Sequence, residues 1–158
     1  MSVIITITNQ KGGVGKTTTA SALMDGLRQR GARILGVDLD PQGSLGFCLG
    51  LDIENCATVY DVLKGSRPIR EVINPSECGD VLPSNILLSS AELEFNRPGR
   101  EFLLKNCLAE VAGDYDFIII DTPPALNVLT VNAYVAADGL VIPMAPEILS
   151  LLGVAQIR

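Results

Sequence analysis

Short apolar runs of strand length alternate along this chain with stretches of helical period, and their order carries the first information. Val3-Ile4-Ile5-Thr6-Ile7-Thr8 is a β-branched run that predicts a strand. Beyond a glycine-rich turn, Ala20, Leu23, Met24 and Leu27 recur on one helix face, and Arg28-Gln29-Arg30-Gly31 closes the helix with cations and then glycine. Arg33-Ile34-Leu35-Gly36-Val37 reads as a second buried strand, which makes the opening a right-handed βαβ unit. Residues 44–79 are less regular, with a short helix predicted at 59–64, closed by Gly65, and another short apolar-periodic piece around 69–73. A strand at Val81-Leu82-Pro83 and a helix over 102–111, with Leu103, Leu104, Leu108 and Val111 on its apolar side, come next. Tyr115-Asp116-Phe117-Ile118-Ile119-Ile120 is a buried strand that ends on Asp121, where Thr122-Pro123-Pro124 breaks the backbone away. A helix over 128–137, a strand over 139–143 and the start of another helix over 149–157 complete the pattern, with no repeat and no linker. The expectation is one α/β domain over residues 1–158, a mostly parallel twisted sheet with helices on both faces.

The turn after the first strand is Asn9-Gln10-Lys11-Gly12-Gly13-Val14-Gly15-Lys16-Thr17-Thr18. Its glycines let the backbone turn its N–H groups onto an anion, and a helix starting near Lys16 adds the positive end of its dipole. Gly12, Gly13, Val14, Gly15, Lys16, Thr17 and Thr18 are the candidate phosphate contacts, with Lys16 for the β- and γ-phosphates and the Thr17 hydroxyl for Mg²⁺. The strict pattern G-x-x-x-x-G-K-[ST] fails at Gln10, where it asks for glycine. A nucleotide–Mg²⁺ site also needs carboxylates to hold the metal and its waters. Asp121, at the end of an apolar strand, has that setting. Asp38 and Asp40 alternate about Leu39 and would face one side of an extended segment, although either can also be read as a turn residue before Pro41.

Composition narrows the picture further. The 158 residues are 47% hydrophobic, which suits a globular core. There is no apolar run of about 18 residues and no basic-then-apolar leader, so no membrane role is expected and the cytoplasm is the default. The four cysteines lack C-x-x-C spacing and histidine is absent, which leaves little to build a zinc site and points to reduced, idle thiols. Net charge is −6, yet Lys11, Lys16, Arg28, Arg30 and Arg33 face only Asp25 within the first 33 residues. The positive end of the chain is its phosphate end.

The form Lys-Gly-Gly-Val-Gly-Lys-Thr-Thr at residues 11–18 resembles the deviant Walker A motif of the superfamily that holds the ParA/Soj partition ATPases, MinD and the nitrogenase iron protein. Asp38-Leu39-Asp40-Pro41-Gln42-Gly43 is similar to the ParA/Soj switch I, and Ile120-Asp121-Thr122-Pro123-Pro124 to their Walker B and switch II. The likeness continues through Val59-Tyr60-Asp61-Val62-Leu63, Leu82-Pro83-Ser84-Asn85 and Leu129-Thr130-Val131-Asn132-Ala133. The resemblance implies a P-loop NTPase fold, ATP and Mg²⁺ as cofactors, and an Mg²⁺-dependent ATPase that forms a nucleotide-sandwich homodimer in plasmid or chromosome partition. By the same resemblance Thr17, Asp38 and Asp121 serve the metal, and Asp40 orients the hydrolytic water. Lys11 reaches across to the partner's phosphates. Implied partners are a second copy, a ParB-like centromere-binding protein and nonspecific DNA, with nucleoid association.

ParA/Soj chains run on past the position matching Arg158, and the later strands and DNA-binding residues are expected there. This sequence then reads as the N-terminal part of a longer domain, with a sheet edge left open. The iron protein is set aside because Cys107 lies in an apolar-periodic helix, where it does not suit a shared Fe–S cluster. A MinD-like cycle is set aside because it needs a basic amphipathic helix that this sequence lacks. A kinase or synthetase of the superfamily would need substrate-binding residues that the sequence does not single out. The alternative from another class is a non-hydrolysing nucleotide-binding dimerisation or regulatory module. Lys16, Asp40 and Asp121 standing together favour the ATPase.

Overall fold

Five parallel strands form one sheet in the computed structural model, which describes residues 2–8 and 15–143. They are β1 (Val3–Ile7), β2 (Ile34–Asp38), β3 (Asp80–Leu82), β4 (Phe117–Asp121) and β5 (Gly139–Val141), in the spatial order β3-β2-β4-β1-β5. The predicted helix over 149–157 and the cradle residues 9–14, which include Lys11, Gly12, Gly13 and Val14, lie outside the described residues. β1 and β2 do not pair with each other; β4, apolar up to its last residue Asp121, lies between them and pairs with both.

Helices cover both faces, so successive residues of the inner strands β2 and β4 are buried in different cores. Ile7, Ile34, Val81 and Ile119 pack with Ala20 and Met24 of α1 (Lys16–Gln29) and Leu45 of α2 (Ser44–Cys48). Leu35, Val37, Leu82, Ile118 and Ile120 point the other way. They pack with α3 (Val59–Lys64), α4 (Ile69–Val72), α5 (Ala91–Glu94), α6 (Leu103–Ala109) and α7 (Val128–Ala136).

α2 and α5 are helices that the sequence pattern did not indicate. α6 is also shorter than the apolar period predicted, because a 3₁₀ turn over Arg100–Phe102 precedes it. Asn132 explains that start: it is buried, its Oδ1 accepts from Leu104 N at 3.0 Å, and its Nδ2 donates to Arg100 O at 2.9 Å and Val128 O at 2.8 Å. A helix N-terminus without a cap of its own is thus satisfied from α7. The four cysteines form no disulfide, with Cys48 exposed and the others half-buried. No helix among the described residues is long and apolar enough to cross a membrane.

Candidate active site

Three strands end at one level and place the candidate residues there. Ile7 of β1 and Asp38 of β2 are both register partners of Asp121 in β4. The carboxyl rim of a parallel sheet is where such folds hold ligands. The chain leaves β1 toward residues 9–14 and returns at Gly15 (φ +77), which precedes α1. That 14-residue helix has no side-chain cap and no acidic residue in its first turn, so no carboxylate of its own offsets its N-terminal dipole at the rim. Lys16 and Thr17 open it and Thr18 is exposed beside them.

Lys16 is buried, an unusual state for a lysine. Its charge stabilises the Asp121 carboxylate, and the Thr17 hydroxyl donates to Asp121 Oδ2 at 2.8 Å. The other oxygen, Asp121 Oδ1, is buried and has no hydrogen-bond partner. Burial is the main force that lifts the Asp121 pKa to about 6, with a further push from the negative charge of Asp40; Thr17 and Lys16 oppose it. Asp38 is buried too, and its pKa is raised well above the ordinary carboxylate range by burial first and by the charge of Asp121 second. Two carboxylates crowded in low dielectric, one with an orphaned oxygen, leave unmet demand for positive charge.

Asp38 spends both oxygens on the segment that follows it: Oδ1 accepts from Asp40 N at 3.0 Å and Oδ2 from Leu45 N at 3.2 Å. It therefore shapes the turn into α2 and keeps only its second lone pairs for other work. Asp40 lies just past the end of β2, so strand alternation does not extend to it. Its Oδ1 accepts from Gln42 N at 3.0 Å and its backbone oxygen from Gly43 N at 2.9 Å, which holds the half-exposed carboxylate at the rim. Thr17, Asp38, Asp40 and Asp121 are thus brought together, with Lys16 beside Asp121.

Among the described residues no three His, Cys, Asp or Glu side chains are grouped to hold a metal by themselves. Mg²⁺ does not need such a cage, because it keeps several waters and takes one or two protein oxygens plus phosphate oxygens. Two hydroxyls that sequence reasoning did not assign also act here. Thr122 Oγ1 donates to Ile7 O at 2.8 Å, tying the β4 end to the β1 end, and Thr8 Oγ1 lies 2.8 Å from Tyr134 Oη.

A parallel sheet whose first strand runs into a lysine- and glycine-rich turn and a helix, with a buried aspartate at the neighbouring strand end, defines a P-loop nucleoside triphosphatase. A family model described as an AAA domain matches residues 2–158. The chromosome partitioning protein ParA of Myxococcus xanthus is 46% identical over 158 residues, covering 98% of this chain and 56% of the relative. The sporulation initiation inhibitor protein Soj of Bacillus subtilis is 45% identical over 163 residues, covering 99% of this chain and 64% of the relative. Among solved structures, cobyrinic acid a,c-diamide synthase from Mycobacterium smegmatis with bound ATP analog and magnesium superposes with a TM-score of 0.95 at 42% identity. That match covers 99% of this chain and 66% of the other. The chain belongs to the ParA/Soj-type family of P-loop ATPases. It spans 56% and 64% of the lengths of these two curated relatives.

Proposed function

We propose that residues 1–158 form the phosphate- and metal-handling part of a cytoplasmic partition ATPase, which binds MgATP, hydrolyses it and dimerises around two nucleotides. The observation that carries this reading is the Thr17–Asp121 pair, a hydroxyl bonded to a buried carboxylate whose second oxygen has no partner, at the mouth of α1. Both side chains fit Mg²⁺, Thr17 directly and Asp121 through water, and the metal when bound neutralises charge on the phosphates. Lys16 supplies a cation to the β- and γ-phosphates. Asp38 fixes the 40–45 segment and faces the metal's water shell, while Asp40 accepts a hydrogen bond from the attacking water and aligns it. Lys11 acts in trans on the partner's phosphates. The cobyrinic acid a,c-diamide synthase with its bound ATP analog and magnesium supports the choice of nucleotide and ion, and the ParA and Soj relatives support partition as the process. A second copy, a ParB-like protein and DNA are the partners this role calls for.

Calorimetric titration with ATP, with and without Mg²⁺, and phosphate release test the reading on the parent and on Lys16→Ala. Binding in the parent that needs Mg²⁺ and vanishes in Lys16→Ala is expected. Equal affinity in the two would end the assignment, and binding without turnover would favour the non-hydrolysing regulatory module.

A further inference from the structure

The P-loop strand ends in two threonines whose hydroxyls are spent on α7. Thr6 Oγ1 donates to Ala133 O at 3.0 Å, and Thr8 Oγ1 meets Tyr134 Oη at 2.8 Å. Thr8 is 2% exposed and is the last described residue before 9–14. Its backbone N–H donates to Val141 O at 3.0 Å, and the carbonyl just before it, that of Ile7, accepts from Thr122. The end of β1 is therefore held from β5 through Thr8 N and from Asp121's neighbour through the Ile7 carbonyl. The third hold, Tyr134, is the only one of these made by side chains at both ends.

We propose that the Tyr134–Thr8 hydroxyl pair is a positioning device for nucleotide binding, fixing the point from which the phosphate-binding residues depart. This rests on the MgATP reading above. α7 is a suitable anchor because its other end is also fixed: Asn127 Oδ1 accepts from Leu129 N and Thr130 N at 3.0 and 3.2 Å, and the Thr130 hydroxyl donates to Ala125 O. The same helix thus holds the end of the 122–127 segment behind Asp121 and the end of β1. Backbone groups aimed at an anion give most when they need no rearrangement on binding, so slack at Thr8 should appear as lost affinity.

A purely structural pair and a positioning pair behave differently in a double substitution. Removing one hydroxyl leaves the other without its partner, that of Thr8 in a buried place and that of Tyr134 in a half-buried one, whereas replacing both by apolar groups of similar shape is close to neutral for stability. Tyr134→Phe and Thr8→Val should each lower the urea midpoint, and the double variant should recover most of it. The tether is not recovered. The double variant should therefore bind MgATP about two- to tenfold more weakly than the parent, the range spanned by one neutral hydrogen bond. Amide exchange of peptides covering residues 6–18, followed by mass spectrometry without nucleotide, should be faster than in the parent. Parental MgATP affinity in the double variant overturns the proposal. If the parent itself bound no MgATP, the nucleotide reading would fall, and the exchange comparison alone would decide the tether, with unchanged exchange overturning it.

Discussion

Gly43→Ala tests how tightly the turn carrying Asp40 is built. Gly43 adopts φ +68 and ψ 23 at the start of α2. A Cβ there would lie 2.5 Å from Ile53 Cδ1 and 2.7 Å from the backbone oxygen of Ser84. The isoleucine methyl is the end of a flexible side chain and can swing aside. The Ser84 carbonyl can move only by shifting the chain that leaves β3. Holding an L-residue in the left-handed region costs about 1–2 kcal/mol, and forcing a group against packed surroundings costs about 1–3 kcal/mol more. Gly65 provides the control: it has φ +84 and nothing within 4 Å of its would-be Cβ, so Gly65→Ala carries only the first cost. Urea unfolding at a common m-value should place Gly43→Ala about 1–3 kcal/mol below Gly65→Ala. Equal losses would refute the steric reasoning. The turn also aligns Asp40, since Gly43 N donates to Asp40 O and Leu45 N to Asp38 Oδ2. Turnover in Gly43→Ala should accordingly fall further than MgATP affinity.

Asp40→Ala should bind MgATP nearly as the parent does yet lose turnover by about 10²-fold or more, as removal of a water-orienting carboxylate does; parental phosphate release would move that role to another residue. Lys11→Ala, in an Asp40→Ala background, should keep MgATP binding while losing ATP-driven dimerisation, read by light scattering; a dimer indifferent to the change would remove the trans role. Tyr115 donates to Asp80 Oδ2 at 2.7 Å, and burial, with that bond second, raises its pKa. The folded state then holds the phenolic proton more tightly than the unfolded chain, so this contribution is complete below about pH 10 and is lost as pH rises beyond it. The stability gap between the parent and Tyr115→Phe should therefore shrink between pH 8 and pH 10.5 in urea titrations, and a constant gap would contradict the reasoning. DNA binding by residues 1–158 should be weak, because Arg67, Arg70, Arg97 and Arg100 are interleaved with acids; submicromolar, salt-sensitive retention in a gel-shift assay would overturn this.

What could be read from the sequence was whatever is encoded in consecutive residues. The apolar runs that end on Thr8, Asp38 and Asp121 are local signals, and the structure sets β1, β2 and β4 side by side so that those ends meet. The helix after the cradle and its cationic close are equally local. Strand order is not: nothing in the βαβ pattern says that β4, from the far half of the chain, inserts between β1 and β2. That insertion is what carries Asp121 to Thr17, a contact across 104 positions. α2 and α5 escaped because Ser44–Cys48 and Ala91–Glu94 show no apolar period of their own, and the start of α2 is fixed by Asp38 through Leu45 N. Asn132 escaped because an asparagine inside a helix has no meaning until the uncapped end of α6 lies beside it. The same holds for Thr8 and Tyr134, 126 residues apart. The chemical groups of the site are written contiguously, since each strand end delivers its own. The hydroxyls and amides that hold those ends in place are supplied by residues distant in sequence, and only the fold brings them together. Substitutions in this second set should leave every motif intact while altering affinity or stability, and motif content alone is a poor guide to how tightly such a chain holds its nucleotide.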